Sequence, residues 1–188
     1  MNRWSRLDLP VWILLAAMLV AGWAVKSAAE GRRFTFTDPG GTLRLAYPAG
    51  WFGVPGSTHV LEVRGPGAAG GFPDTIAVTK TPAKEGATPE TVAEEDALTR
   101  GKDLPMYRVL SVRKARVAGR DGMLVRYAYV ADPFDVRPDA DRFPVAVGAL
   151  EAVVVDRGTV YRIRFLAAAS RFRQMERLGL KILQDVSL

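Results

Sequence analysis

His59 is the single imidazole of this chain and there is no cysteine, so any acyl-transfer chemistry would have to be built around that one ring. Ser57 and Thr58 precede it directly, but His59 reads as the start of a strand, His59 to Val63. Successive side chains on a regular strand point to opposite faces, so these hydroxyls are not expected to meet the imidazole in a triad. His59 therefore reads as a surface or sheet-edge residue. The lack of cysteine excludes thiolate nucleophiles, thiolate metal sites and disulfides. No GxSxG, Walker or dinucleotide fingerprint occurs, and the glycines of 65–71 run into a strand instead of a helix N-terminus, which removes the geometry that cradles an anion. The expectation is a protein that is not an enzyme and holds no cofactor.

Two constellations remain. The segment Ala131 to Pro144, ADPFDVRPDADRFP, carries Asp132, Asp135, Asp139 and Asp141. Counted from Asp135 or Asp139 it has neither the glycine at the sixth position nor the glutamate at the twelfth that a calcium loop uses, and Arg137 and Arg142 offset its charge. No metal is expected there. A loop of this length between hairpins is a place where contacts concentrate, and Phe134, Asp135, Arg137 and Phe143 are its candidate partner-binding residues. The second constellation is Arg44, Arg126, Arg162 and Arg164, each placed on the strand face opposite the apolar set. These either form a solvated face whose stems cover apolar surface, with Glu151 as a counter-charge, or line an anion or lipid-headgroup surface.

The elements that must position these groups follow from periodicity and punctuation. Phe34 to Trp51, FTFTDPGGTLRLAYPAGW, alternates on both sides of Asp38-Pro39-Gly40-Gly41 and reads as a hairpin closed by Pro48, Gly50 and Trp51. After the strand at His59 comes another over Thr75 to Thr81. Thr88 then reads as the N-cap of a helix with Pro89 at its first position, a thin apolar stripe of Val92, Ala93, Ala97 and Leu98, and a stop at Gly101. Tyr107 to Val117 and Met123 to Ala131 form a hairpin about AGRDG. Val145 to Asp156 and Thr159 to Ala168 form a second about Arg157-Gly158. Ser170 caps a last helix with Phe172, Met175, Leu178, Ile182 and Leu183 on one face. The fold class expected is α+β, one antiparallel sheet with helices packed on it.

The opening hairpin with its Tyr-Pro corner and aromatic plug, together with the ending VYRIRFLAAASRFRQMERLGLKILQDVSL, resembles PsbP-like domains, the extrinsic photosystem proteins and their bacterial relatives. The resemblance covers Phe34 to Leu188. It implies a non-catalytic partner of membrane-embedded photosynthetic or respiratory machinery, and it carries over no binding residue, because the matching positions are structural.

With 188 residues and a formal charge of +6, the chain has room for one domain and a short appendage. The charge is spread without a run of like residues, so nucleic acid is not an expected partner. The appendage contains Leu9 to Val25, seventeen residues without a charge. They read as a transmembrane anchor, with Trp12 and Trp23 at the two headgroup levels and Ala16, Ala17, Ala21 and Gly22 available for close helix packing. The competing reading is a cleaved secretory signal with Ser27 and Ala29 before Glu30. The organisation expected is a cytoplasmic tail over 1–8 containing Arg3 and Arg6, a span over 9–25, a linker over 26–33, and an extracytoplasmic domain over 34–188. Two functions fit that layout. One is an accessory subunit docked on a larger membrane protein complex, with the bilayer as a further partner. The other is a lipid or small-ligand carrier with a cavity lined by Leu45, Tyr127, Phe165 and Met175.

Overall fold

The computed structural model of the chain describes residues 8–30, 32–66, 72–131 and 144–188. The first apolar run is helical, α1 (Asp8–Glu30), and every side chain from Val11 to Trp23 on it is exposed. Among the described residues, however, no helix is long and apolar enough to cross a membrane. That finding overturns the expected single-pass anchor and the localisation built on it, a cytoplasmic N-terminus with the domain on the extracytoplasmic face; Trp12, Ala16, Ala17, Ala21, Gly22 and Trp23 lie on the exposed part of helix α1. The physical reason is length and dilution. Seventeen charge-free residues rise about 25 Å against a hydrocarbon thickness of ~30 Å. The turns that would extend the run bring in Asp8, Lys26 and Glu30.

The hairpin that follows, β1 (Arg33–Thr37) and β2 (Arg44–Pro48), forms a two-stranded antiparallel sheet of its own. Its turn is held by a carboxylate. Asp38 is 4% exposed and accepts from the Leu43 amide at 2.8 Å, the Thr42 hydroxyl at 3.1 Å and Lys80 Nζ at 3.1 Å. The Leu43 amide bond outweighs the opposing effect of burial, with Lys80 and Thr42 adding to it, and holds the carboxyl at about 2. The folded value lies below the ordinary one, so the stabilisation is complete above the usual aspartate range and fades as pH falls towards 2. Asp38→Asn keeps an acceptor but loses the charge, and urea unfolding at neutral pH should show a loss of about 1–1.5 kcal/mol that narrows as pH approaches 2.

The main sheet has seven strands, β3 (Phe52–Gly53), β4 (Leu61–Arg64), β5 (Thr75–Pro82), β6 (Arg108–Val117), β7 (Arg120–Ala131), β8 (Val145–Asp156) and β9 (Thr159–Ala168), in the order β3-β4-β5-β9-β8-β7-β6. Every pairing is antiparallel. After β5 the chain crosses one face as α2 (Pro89–Asp103) and enters the far edge as β6, then returns as a meander. Helix α3 (Ala169–Asp185) recrosses the opposite face and packs on β8, β9 and β2. Thr88 is the N-cap of α2 and, with Thr91, completes a reciprocal capping box.

Several local expectations are corrected. Gly101 lies inside α2, which runs on to Asp103, because the carbonyl of Arg100 closes the end by accepting from the Leu104 amide. The AGRDG turn shrinks to Ala118-Gly119, with Val117 paired to Arg120 and both turn residues at positive φ, the twist a two-residue hairpin requires. Helix α3 starts before Ser170, with Ala168 as an N-cap that makes no side-chain bond. His59 precedes β4 instead of lying in it.

The sheet buries both faces. On the α3 side, Leu124, Leu150, Ala152, Ile163, Phe165 and Ile76 meet Phe172, Met175, Ile182 and Leu183, with Leu43 and Leu45 of the hairpin closing the cluster. On the α2 side, Met123, Val125, Tyr127, Ala149 and Val153 meet Val92 and Ala93. Helix α3 approaches closely because two contacts lack a Cβ. A methyl on Gly148 would fall 2.4 Å from Phe172, and one on Gly179 would fall 2.8 Å from Phe165. Leu45, Phe165 and Met175 thus sit in one core cluster while Tyr127 faces the other. The four proposed cavity-lining residues do not share a cavity.

Candidate functional site

Because residues 58–60 are bent and not extended, Ser57 does reach His59, contrary to the strand argument. Ser57 Oγ lies 3.0 Å from His59 Nδ1 and donates to Glu62 Oε2 at 2.6 Å. Arg164 Nη2 lies 2.6 Å from Nε2 on the other side of the ring. An arginine can only donate, so Nε2 is the acceptor and Nδ1 carries the proton. The donations then run from His59 to Ser57 to Glu62, with Arg64 closing the set on Glu62 Oε1 at 2.8 Å. This is not a nucleophile with its base. The serine proton points at a carboxylate, and the imidazole lone pair that would have to take it is occupied by a guanidinium. Glu62 is a poor base as well. Burial alone would raise it, but the bonds from Ser57 and Arg64 hold it below the ordinary range.

Burial and then Arg164 push the imidazole below its ordinary value of 6.5, against a smaller opposing pull from Glu62. The native state therefore binds fewer protons than the unfolded chain on the acid side of that value, and stability falls as pH drops through 6.5. Thermal melts at intervals from neutral pH downward should show this decline in the parent chain and a flatter profile in His59→Gln.

Deeper on the same face lies a second charged group. Glu151 is 0% exposed; its Oε1 accepts from Arg100 Nη2 at 2.7 Å and its Oε2 faces Arg100 Nη1. The guanidinium of Arg100 stacks 4.9 Å above the centre of the Tyr127 ring. One turn earlier on α2, Asp96 takes both Nε and Nη2 of Arg162 at 2.6 and 3.1 Å. Burial pushes the Glu151 carboxyl up, against the pull of Arg100 and Arg164. These contacts pin a helix whose apolar stripe is only two buried residues wide, Val92 and Ala93.

The four arginines expected on one face are divided among three places. Arg162 and Arg164 belong to the network just described. Arg126 is on the α3 side, with Nε 3.1 Å from Glu176 Oε1 and its guanidinium over Phe172. Arg44 is exposed on the opening hairpin, where its backbone bridges to Ser187. Phe134, Asp135, Arg137 and Phe143 lie outside the described residues.

A surface not singled out by sequence is the β6 edge. The sheet ends in β6 on one side and in the two-residue β3 on the other. In the first half of β6, Val109, Leu110 and Val112 are 39, 52 and 53% exposed and Met106 just before it is 82% exposed, whereas Ala115 and Val117 at its end pack into the α3-side core. Its basic residues are Arg108, Arg113, Lys114 and Arg116, and it carries no acidic residue. Lys114 reaches Glu90 at the start of α2. A strand with four basic residues and no acidic one is an edge signature, and that was the available signal.

No protein-family model and no curated protein matches the sequence. Solved structures do match in fold. Cyanobacterial PsbP (CyanoP) from Synechocystis sp. PCC 6803 superposes with a TM-score of 0.59 at 14% identity, covering 83% of this chain and 92% of that one. LpqN of Mycobacterium tuberculosis, involved in cell envelope biogenesis, gives 0.56 at 16% identity over 83% and 90%. The Saccharomyces cerevisiae Ran-binding protein Mog1p gives 0.54 at 12% identity over 82% and 93%. The PsbP-like fold expected from the two ends of the domain is the fold of this chain.

Proposed function

We propose that this chain is a non-catalytic protein-docking domain, an accessory subunit of a larger protein assembly, which takes its partner along the β6 edge. The observation that carries the reading is the unequal finish of the sheet. One edge is reduced to two residues, whereas the other presents ten residues of strand with exposed Val109, Leu110 and Val112. A long exposed edge is a surface that soluble domains ordinarily shorten or cover, and retaining it fits a partner seated there. The engagement of His59 by Arg164 and of Ser57 by Glu62 supports the non-catalytic part. The fold shared with Mog1p, a Ran-binding protein, and with PsbP supports an interaction role without naming the partner. Phe134, Asp135, Arg137 and Phe143, in the segment that follows β7 in the sequence, are proposed as a second contact.

The test is native mass spectrometry of the chain purified gently from its own cells. A stoichiometric protein partner is expected, absent from the variant Val109→Asp with Val112→Asp and retained by Arg177→Glu on the outer face of α3. A chain that purifies alone, or a partner indifferent to the β6 variant, contradicts the proposal.

A further inference from the structure

The β6 edge also says what chemistry its occupant has. Resting on the docking reading above, we infer that the partner presents an extended acidic segment, with apolar and acidic residues in alternation, which adds to the sheet as an eighth strand beside β6. The argument begins with the ladder. Val109 and Val112 pair with Tyr127 and Val125, so they lie on the α2 side of the sheet. Arg108 and Arg113 pair with Ala128 and Leu124 and lie on the α3 side. A strand laid beside β6 alternates in the same way. Over 108–113 its residues on the α2 face meet exposed Val109 and Val112 and those on the α3 face meet Arg108 and Arg113, while further along Lys114 and Arg116 share the face of the valines. Apolar residues suit the first and carboxylates the second, since opposite charges across a ladder are favourable and like charges are not.

The same charges reject the simplest competitor, a second copy of this chain. Pairing β6 with β6 would set Arg108, Arg113, Lys114 and Arg116 of one copy along those of the other, with +6 on each chain. Basic residues on an edge strand discourage pairing with its own kind, and that selection leaves an acidic strand as the one that fits. Arg108 and Arg113 are both exposed, and neither takes part in an ion pair among the described residues. They are available to a partner, whereas Lys114 is shared with Glu90.

The experiment uses the full chain and synthetic peptides of the length of β6. The first alternates glutamate with valine, the second has the same composition in two blocks, and the third replaces glutamate by lysine. Amide hydrogen exchange and chemical shifts locate the binding, and anisotropy gives the affinity. The alternating acidic peptide should bind with new protection confined to β6. It should bind at least about tenfold tighter than the block peptide, with no measurable binding of the lysine peptide. Arg108→Glu with Arg113→Glu should weaken it by about tenfold or more, and Arg108→Gln with Arg113→Gln by less, both variants keeping the melting profile of the parent. Equal binding of the block or lysine peptide, protection mapping elsewhere, tighter binding of single-stranded DNA through the same residues, or no binding by any peptide overturns the acidic-strand inference. If the peptides fail while the native partner is still lost from the β6 variant, docking at this edge stands and only the acidic strand falls. Failure of both removes the docking reading itself.

Discussion

Arg100→Ala should lower the unfolding free energy by about 3–5 kcal/mol, the cost of leaving a buried charge without its partner. Glu151 is 0% exposed, and Arg100 supplies its hydrogen bond at 2.7 Å. With the guanidinium gone, the carboxylate stays buried with only Arg164, its cross-strand neighbour, to oppose the effect of burial. Burial already holds its affinity for a proton above the ordinary glutamate value, and losing Arg100 raises it further. A raised value means that the folded form is favoured when protonated, so the deficit of the variant should shrink as pH falls and grow as pH rises. Replacing both residues by leucine should recover most of the loss, since well-packed apolar residues often match a buried ion pair. Urea unfolding of the parent, single and double variants checks this. A single variant within about 1 kcal/mol of the parent, the range of an exposed pair, would mean that the pair does not pin α2.

Gly148→Ala is the second large effect. Its Cβ would lie 2.4 Å from Phe172 Cγ and 2.7 Å from Cδ2, so the ring or the whole helix must shift. Overpacking of this kind costs about 3 kcal/mol at the upper end, and calorimetry should register a fall in melting temperature of roughly 6–12 °C for a domain of this size. Gly148→Val should prevent folding. Combining Gly148→Ala with Phe172→Leu frees the space above the sheet and should recover part of the loss, which a backbone effect of the glycine alone would not allow. A drop of less than ~2 °C in Gly148→Ala would place α3 farther from the sheet than described.

Gly148 and Glu151 interrupt the apolar run of β8 in the sequence, and in the structure they are where the two helices attach. Gly148 admits Phe172 of α3 on one face, and Glu151 receives Arg100 of α2 on the other. The strands, the paired hairpins and the apolar face of α3 were legible because a period of two or 3.6 residues needs no knowledge of neighbours. The Arg100–Glu151 contact joins residues 51 apart in the chain, and no local pattern encodes it. The arginines were grouped by strand alternation alone. The alternation is real, but Arg126 and Arg164 are on opposite faces because their strands enter the sheet in different phase, which only the register of β7 against β8 and of β8 against β9 decides. His59 was placed in a strand that begins two residues later, and this concealed its bond with Ser57. The N-terminal run reads as a span by its lack of charge, whereas among the described residues no helix is long and apolar enough to cross a membrane.

The most direct test of docking along β6 is a photo-reactive residue placed at Val112 of the full chain in its native cells, with a second placed at Arg177 on the outer face of α3 as the control. The account predicts a discrete protein adduct on irradiation at Val112 and none at Arg177. Adducts of equal yield at both positions, or none at Val112, would contradict it.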